Sequence, residues 1–515
     1  MNTRTERDSM GEMQVPAEAL YGASTARAVE NFPIARRPVP KEVIHAFGHL
    51  KAACAAANRD LGKLDPKIAE AIIAASDEVA AGQHDAHFPV DVYQTGSGTS
   101  TNMNANEVIA NLANRYLAKR SNGPADAAET NPSPGTPGEG RVGASGGETQ
   151  QSASFAVRQS GKATAPTKVH PNDHVNMGQS SNDTFPTAMN VAAAMAMRHK
   201  LTPAVLNVAN ALQELSQRWD AIVKVGRTHL MDATPIRMGQ VFGGYAAQLG
   251  NACEKLDWAI DEMEFNVAIG GTAVGTGINT HPQFAMKVCK ALEDRVGDGG
   301  VALRFVEAVN HPAAQSARDN FVTAHGLIKT VAVALSKIAN DIRLLGSGPR
   351  CGIGELILPA IQPGSSIMPG KENPVIAESM MQVACRVIGN DATITTAGLG
   401  GVGSIFELNV AMPVMIDAFL ESVNLLANVC DVFVDKLLSG LKVNEKRCAE
   451  LVEQSLMNVT AIAPAIGYDN AAKVAKQAMA EGKTIRQIAR ELKLLDDATL
   501  DKLLDYDAMT RPDVV

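Results

Sequence analysis

The stretch Gly364-Ser365-Ser366-Ile367-Met368-Pro369-Gly370-Lys371-Glu372-Asn373-Pro374, with Glu378 following, puts two glycines and two prolines into eleven residues. Proline removes a backbone donor and glycine admits conformations closed to other residues, so a loop is expected here. Apolar periodicity then runs from Pro374 to Ala397, so the loop opens directly into a long helix. Its polar content is two hydroxyls, one ammonium and one amide. Such a set suits a substrate that is a carboxylate and becomes more negative in the transition state.

Outward from this loop, four further stretches carry helical periodicity: Phe185 to Ala221, Pro235 to Phe265, Ala313 to Leu345 and Leu408 to Leu441. All five are far longer than the usual helix of about eleven or twelve residues. Long helices with short connections make a bundle. Pro203, after Thr202 as a candidate N-cap, is expected to kink or restart the first of them. Residues Lys41 to Gly82 read as a helical hairpin broken at Leu61 to Pro66, and Gln94 to Asn106 as a polar loop entering a helix that ends near Arg120. Shorter helices are expected at Asn444 to Gln454, Tyr468 to Glu481, Thr484 to Leu492 and Asp497 to Leu504. The division that follows is an N-terminal helical domain (1–179), a central long-helix bundle (180–441) and a small C-terminal helical domain (442–515).

Composition agrees with a mostly α chain. Of 515 residues, 45% are hydrophobic and only 4% aromatic, with Trp 2, Tyr 6 and Phe 13. Ala-rich runs such as Val191 to Met197 favour closely packed helices over sheets, which prefer aromatic and β-branched residues. Residues Ser121 to Thr167, dominated by Gly, Pro, Ser, Ala and Thr, cannot bury enough surface to offset their ordering entropy, and read as a surface insertion. Lys+Arg 47 against Asp+Glu 55 gives a net charge of −8 with no basic stripe, which argues against nucleic acid as a partner. An anionic ligand must therefore be attracted by local donors. Seven scattered cysteines, with no CxxC pair, read as buried reduced thiols. Neither an export signal nor a membrane span is expected, and the location is read as cytoplasmic.

Three other segments are too polar for folding alone to explain. Gln94-Thr95-Gly96-Ser97-Gly98-Thr99 alternates glycine with hydroxyls, so that backbone N–H groups and O–H donors converge as at anion-binding helix N-termini, although a structural turn also explains it. Val169-His170-Pro171-Asn172-Asp173 leads into Gln179-Ser180-Ser181-Asn182-Asp183, where the serines and Asn182 can orient a carboxylate. Asp183 reads as a helix cap, and His170 equally as a structural histidine. Gly226-Arg227-Thr228-His229-Leu230-Met231-Asp232 sets a histidine in a polar cluster before a long helix, fitting either a structural role or an acid–base role near neutral pH.

Taken together, these residues resemble one family. GSSIMPGKENP is similar to the signature loop of the fumarase/aspartase superfamily, and the resemblance extends from the opening DSMGEMQVPAEALYGAST through SGPRCGIGE to IGYDNAAKVAK, sparing only Ser121 to Thr167. Within the superfamily the chain most resembles class II fumarate hydratase. Aspartase-like chains show Gly-Gly-Ala-Gly-Thr in the first segment and Gln after Arg-Thr in the third; here stand QTGSGT and His229. An ammonia lyase and a non-catalytic structural paralogue are the alternatives.

The resemblance implies a three-domain, almost all-α subunit, a homotetramer with active sites shared between subunits, and no metal or organic cofactor. It implies reversible hydration of fumarate to (S)-malate, as in the tricarboxylic acid cycle. By the same resemblance Ser365 is the base that takes the carbon-bound proton, and His229, oriented by Glu378 of another subunit, handles the water. The matching substrate positions are Ser97, Gly98, Thr99, Ser180, Ser181, Asn182, Thr228, Ser366, Lys371, Glu372 and Asn373. His170, Pro171, Asn172 and Asp173 match a second anion site. One departure weakens that last match: Thr167 stands where some relatives are basic, leaving only Lys168.

Overall fold

The computed structural model describes residues 2–121, 168–297 and 302–512. The expected insertion therefore lies, beyond Ser121, outside the described residues. A hairpin of β1 (Thr3–Asp8) and β2 (Gly11–Pro16) opens the chain, followed by α1 (Ala23–Asn31), α2 (Lys41–Asp60), α3 (Pro66–Ala80) and α4 (Thr99–Ser121). After His170 come α5 (Ser181–Ala196) and α6 (Thr202–Arg218), then a second hairpin of β3 (Val223–Thr228) and β4 (Met231–Arg237). The next helices are α7 (Met238–Glu264), α8 (Phe284–Val296), the short α9 (His311–Ser316), α10 (Asp319–Leu345), α11 (Val375–Gly398) and α12 (Met412–Lys436). Five short helices close the chain: α13 (Glu445–Gln454), α14 (Val459–Ile466), α15 (Tyr468–Glu481), α16 (Ile485–Glu491) and α17 (Asp497–Leu503).

The long helices form a ring of contacts in which α6 packs on α7, α7 on α10, α10 on α11, α11 on α12 and α12 back on α6. Small side chains let these axes approach closely, and the few aromatics sit where helices meet. Trp219 and Phe242 meet edge to face at 4.8 Å, and Phe321 meets Phe419 at 5.3 Å. Each such buried ring contributes about 1.5–3 kcal/mol through removal of apolar surface from water. One apolar core runs without a break from Leu20 to Cys448, joining the segments before and after residue 179, while Ile462, Val474, Ile485, Ile488 and Leu500 gather a separate cluster near the end. Helices α10 and α12 are long and apolar enough to cross a membrane by length and composition, yet half and two-thirds of their most apolar windows are buried inside this bundle.

Several boundaries differ from the sequence reading, each for a physical reason. Helices α5 and α6 are joined by one π-helical turn, Met197–Leu201, so the chain stays helical, and the irregular turn ahead of Pro203 accommodates the hydrogen bond that proline cannot make. With no free helix end there, Thr202 caps nothing. The α5 helix begins at Ser181, ahead of Phe185, with Ser180 as N-cap and Asp183 closing a capping box. The segment before α7 is a hairpin where only a polar cluster was expected. Of the seven cysteines, Cys54, Cys289, Cys430 and Cys448 are buried and Cys253 half-buried, but Cys351 and Cys385 are exposed; one lies in an irregular loop and the other on the outer face of α11.

Candidate active site

The chain enters α4 through Gly96, Ser97 and Gly98. A side chain at Gly98, whose φ is +71°, would drive Cβ to 2.0 Å from the Phe185 ring, and one at Gly96 would lie 1.7 Å from the Val410 carbonyl oxygen. Tight passage here brings the N-termini of α4 and α5 side by side. Ser97 Oγ lies 2.8 Å from Thr99 Oγ1, which lies 2.8 Å from Ser181 Oγ. Asn182 donates its amide to the Ala273 carbonyl at 2.8 Å. Thr99, Ser180 and Ser181 line a cavity of about 420 Å³ with Asn102, Asn106, Asn176, Gln179 and Thr272. The positive ends of two adjacent helices, with a set of hydroxyls and amides, make it a place for an anion.

Asp183 holds this corner from below. Fully buried, its Oδ1 accepts from Ser180 N at 2.9 Å, and its Oδ2 from Gly270 N at 3.1 Å and Thr272 N at 2.8 Å. Burial raises its pKa to about 6 against the pull of those three N–H donors. The cap reading was correct but incomplete, because the same carboxylate also ties α5 to the 270–272 turn. Asp183→Asn turns one acceptor into a donor facing N–H groups. It should cost about 1–3 kcal/mol, measured by urea denaturation; an unchanged midpoint would contradict this account.

The 364–374 loop is bracketed rather than open. Gly364 N donates to Lys371 O at 2.8 Å, and Asn373 Nδ2 to Gly364 O at 2.8 Å. One amide proton of Asn373 is thus committed to the loop itself. Within the bracket, Ser365 Oγ accepts from both Ile367 N and Met368 N, each at 3.2 Å. Ser366, Lys371 and Glu372 are exposed, and Glu378 lies half-buried in the first turn of α11.

His229 stands at the tip of the β3–β4 hairpin. Thr228 pairs with Met231, so His229 and Leu230 form a two-residue turn, both with positive φ, +56° and +64°. That is the pattern of a type I′ turn, in which non-glycine residues carry strain. Behind the hairpin, Glu355 is fully buried and receives Arg227 through two bonds of 2.9 and 3.0 Å, with Lys224 at 3.2 Å. The lining of the 420 Å³ cavity draws on neither this tip nor the 364–374 loop. One chain thus carries three separate polar assemblies.

Comparison with known proteins identifies the family. A family described as Lyase matches residues 11–389, and one described as Fumarase C C-terminus matches residues 459–511. The chain is 48% identical to the class II fumarate hydratase of Corynebacterium efficiens, covering 99% of this chain and 97% of that one. It is 46% identical to the class II fumarate hydratase of Mycobacterium tuberculosis, over 99% of this chain and 96% of that one. The crystal structure of class II fumarase from Schistosoma mansoni superposes with a TM-score of 0.85 at 36% identity, covering 99% of each chain.

The chain belongs to the class II fumarate hydratase family.

In this fumarate hydratase fold, not every polar residue of α4 and of the 170–183 segment reaches the cavity. Glu107 accepts from Gly22 N, Ser24 N and Thr25 N, and is spent on the start of α1. His170 caps a π-helical turn, Pro171–Val175, by accepting from Asp173 N at 3.1 Å, and lies 3.1 Å from the Asp173 carboxylate. Both are exposed, and Asn172 alone of the group lines the cavity. Residues that sequence reasoning passed over include Lys51, Glu355, and a Ser422–His325–Asp391 array with contacts of 2.9 and 3.0 Å. The last has the geometry of a nucleophilic triad, but Ser422 and His325 are fully buried and Ser422 donates to the Ala418 carbonyl, so no substrate reaches it. It reads as a link between α10, α11 and α12.

Proposed function

We propose that the chain catalyses reversible hydration of fumarate to (S)-malate in a homotetramer whose sites combine the cavity of one subunit with the 364–374 loop and hairpin tip of others. In the malate-to-fumarate direction, Ser365 takes the proton from the carbon next to a carboxylate. The electron pair left behind spreads into that carboxylate, which becomes a dianion held by Lys371 and Asn373. The pair then returns to form the double bond as hydroxide leaves the neighbouring carbon, protonated to water with the help of His229 and Glu378. Ser97, Gly98, Thr99, Ser180, Ser181, Asn182, Thr228 and Ser366 hold the substrate carboxylates, with Glu372 beside Lys371.

The observation that carries this reading is the pair of N–H groups on Ser365 Oγ. A serine hydroxyl is a weak base unless its alkoxide is stabilised, and two backbone donors aimed at the oxygen supply that stabilisation without reorganisation. His170, Asn172 and Asp173 are exposed, and His170 is bonded to Asp173, which fits a structural turn better than an anion site. The test is ultraviolet absorbance of the purified protein with malate or with aspartate. Fumarate should appear from malate and not from aspartate; the reverse result would make the chain an ammonia lyase.

A further inference from the structure

The 420 Å³ cavity is lined, among the described residues, by no charged side chain: its walls are Thr, Asn, Gln, Ser, Gly, Ala, Met and Ile. In the proposed site Lys371 serves one carboxylate of the substrate, and the other, in the cavity, needs positive potential of its own, because neutral donors alone repay only part of the desolvation of a carboxylate. The overall charge of −8 works against it. Directly behind the wall stands Lys51 on α2, with no solvent exposure. Its Nζ donates to Asn176 Oδ1 at 3.0 Å and to Gln179 Oε1 at 2.9 Å, both on residues that line the cavity.

Lys51 is unusual in two respects. A buried ammonium is normally paired with a carboxylate, yet both polar partners here are neutral amides. Asp183 is the nearby anion, but its two oxygens are occupied by three backbone N–H groups and it makes no hydrogen bond to Lys51. The two amides are also fixed by their other ends: Asn176 Nδ2 donates to Gln179 O, and Gln179 Nε2 to Val175 O and Met177 O. Lys51 is thus the hub of the 175–179 turn that delivers Ser180 and Ser181. Asn176 also accepts from Asn102 of α4, so the hub reaches both helix N-termini.

We propose that Lys51 is a positioning residue of this site, whose buried ammonium orders the Asn176–Gln179 wall and supplies the positive field that holds one carboxylate of a dicarboxylate substrate. The proposal rests on the reading of the Thr99–Ser181 cavity as the substrate pocket. Burial lowers the Lys51 pKa to about 8, so its charge is close to the point of loss in the empty site and is strengthened by an arriving anion. The titratable groups that face it are Cys54 on α2, whose thiol burial pushes up, and Asp183 on α5; α4 and the 171–176 turn present it with the neutral Asn102 and Asn176.

The test is steady-state kinetics of the full-length enzyme across pH 7 to 9.5, for the native chain, Lys51→Met and Ser181→Ala, with thermal melting of each. In the native chain, KM for malate should be flat near neutrality and rise above about pH 8 as the ammonium is lost. Lys51→Met should raise KM by about tenfold or more, with a smaller change in kcat and no rise left above pH 8. A folded Lys51→Met enzyme with native KM and the same pH step would overturn the proposal. If that variant fails to fold, a native KM that stays constant to pH 9.5 overturns it instead. Ser181→Ala separates the two levels: an unchanged KM there refutes the assignment of the pocket, whereas a raised KM there with an unaltered Lys51→Met refutes only the role of Lys51.

Discussion

Ser365→Ala is expected to lower turnover about a hundredfold to ten-thousandfold, the range in which general-base catalysis is usually measured. The hydroxyl sits in a loop outside the apolar core, and its only hydrogen bonds among the described residues are those it accepts from Ile367 N and Met368 N. Alanine leaves the bracket between Gly364, Lys371 and Asn373 untouched, because those bonds use backbone groups and the Asn373 amide. Binding should therefore survive, and the loss should fall on kcat. The check is malate-dependent fumarate absorbance beside thermal melting and sedimentation of the same preparation. A variant with half the native turnover would mean that the proton leaves to some other group.

Glu355→Gln is expected to cost about 3–5 kcal/mol of folding stability, the usual penalty for removing one partner from a buried ion pair. The carboxylate is fully buried and balances two cations, Arg227 through a bidentate contact and Lys224. Glutamine offers one acceptor and leaves the buried Lys224 beside the half-buried Arg227 with no anion between them. Burial already lowers the Lys224 pKa, so this lysine sheds its proton more readily once its partner is neutral. Urea denaturation of the native and variant chains measures the effect. Adding Lys224→Met to Glu355→Gln should recover part of the loss, since one of the two stranded charges is then gone. If Glu355→Gln unfolds at the native midpoint, the cluster does not hold the hairpin.

The helices were legible because an apolar stripe at helical spacing survives any detail of packing: α15 spans the expected Tyr468 to Glu481, and α11 begins one residue after Pro374. The hairpin under His229 was hidden for identifiable reasons. Its two strands are out of step at Gly226, where the register shifts between Val225 and Arg227 and breaks the alternation that marks a strand. Its turn, His229-Leu230, has none of the Asn-Gly chemistry that signals a type I′ turn. Lys51 left a trace that was overlooked. It stands four residues after Phe47 and three before Cys54, on the buried stripe of α2, where a charge is out of place. The individual polar segments could be read, but their joining could not, because the Thr99–Ser181 contact spans 82 positions.

The buried Arg227–Glu355 pair also acts as a hinge pin. His229 stands two positions after Arg227, about 7 Å along the strand, and the strained turn leaves the tip little freedom of its own. A tilt of about 8° at the pin therefore swings the imidazole by about 1 Å, a misplacement large enough to cost an enzyme about a hundredfold in rate. On the role proposed for His229, its aim at the reacting atoms is set below the surface, by a buried carboxylate outside the lining of the cavity.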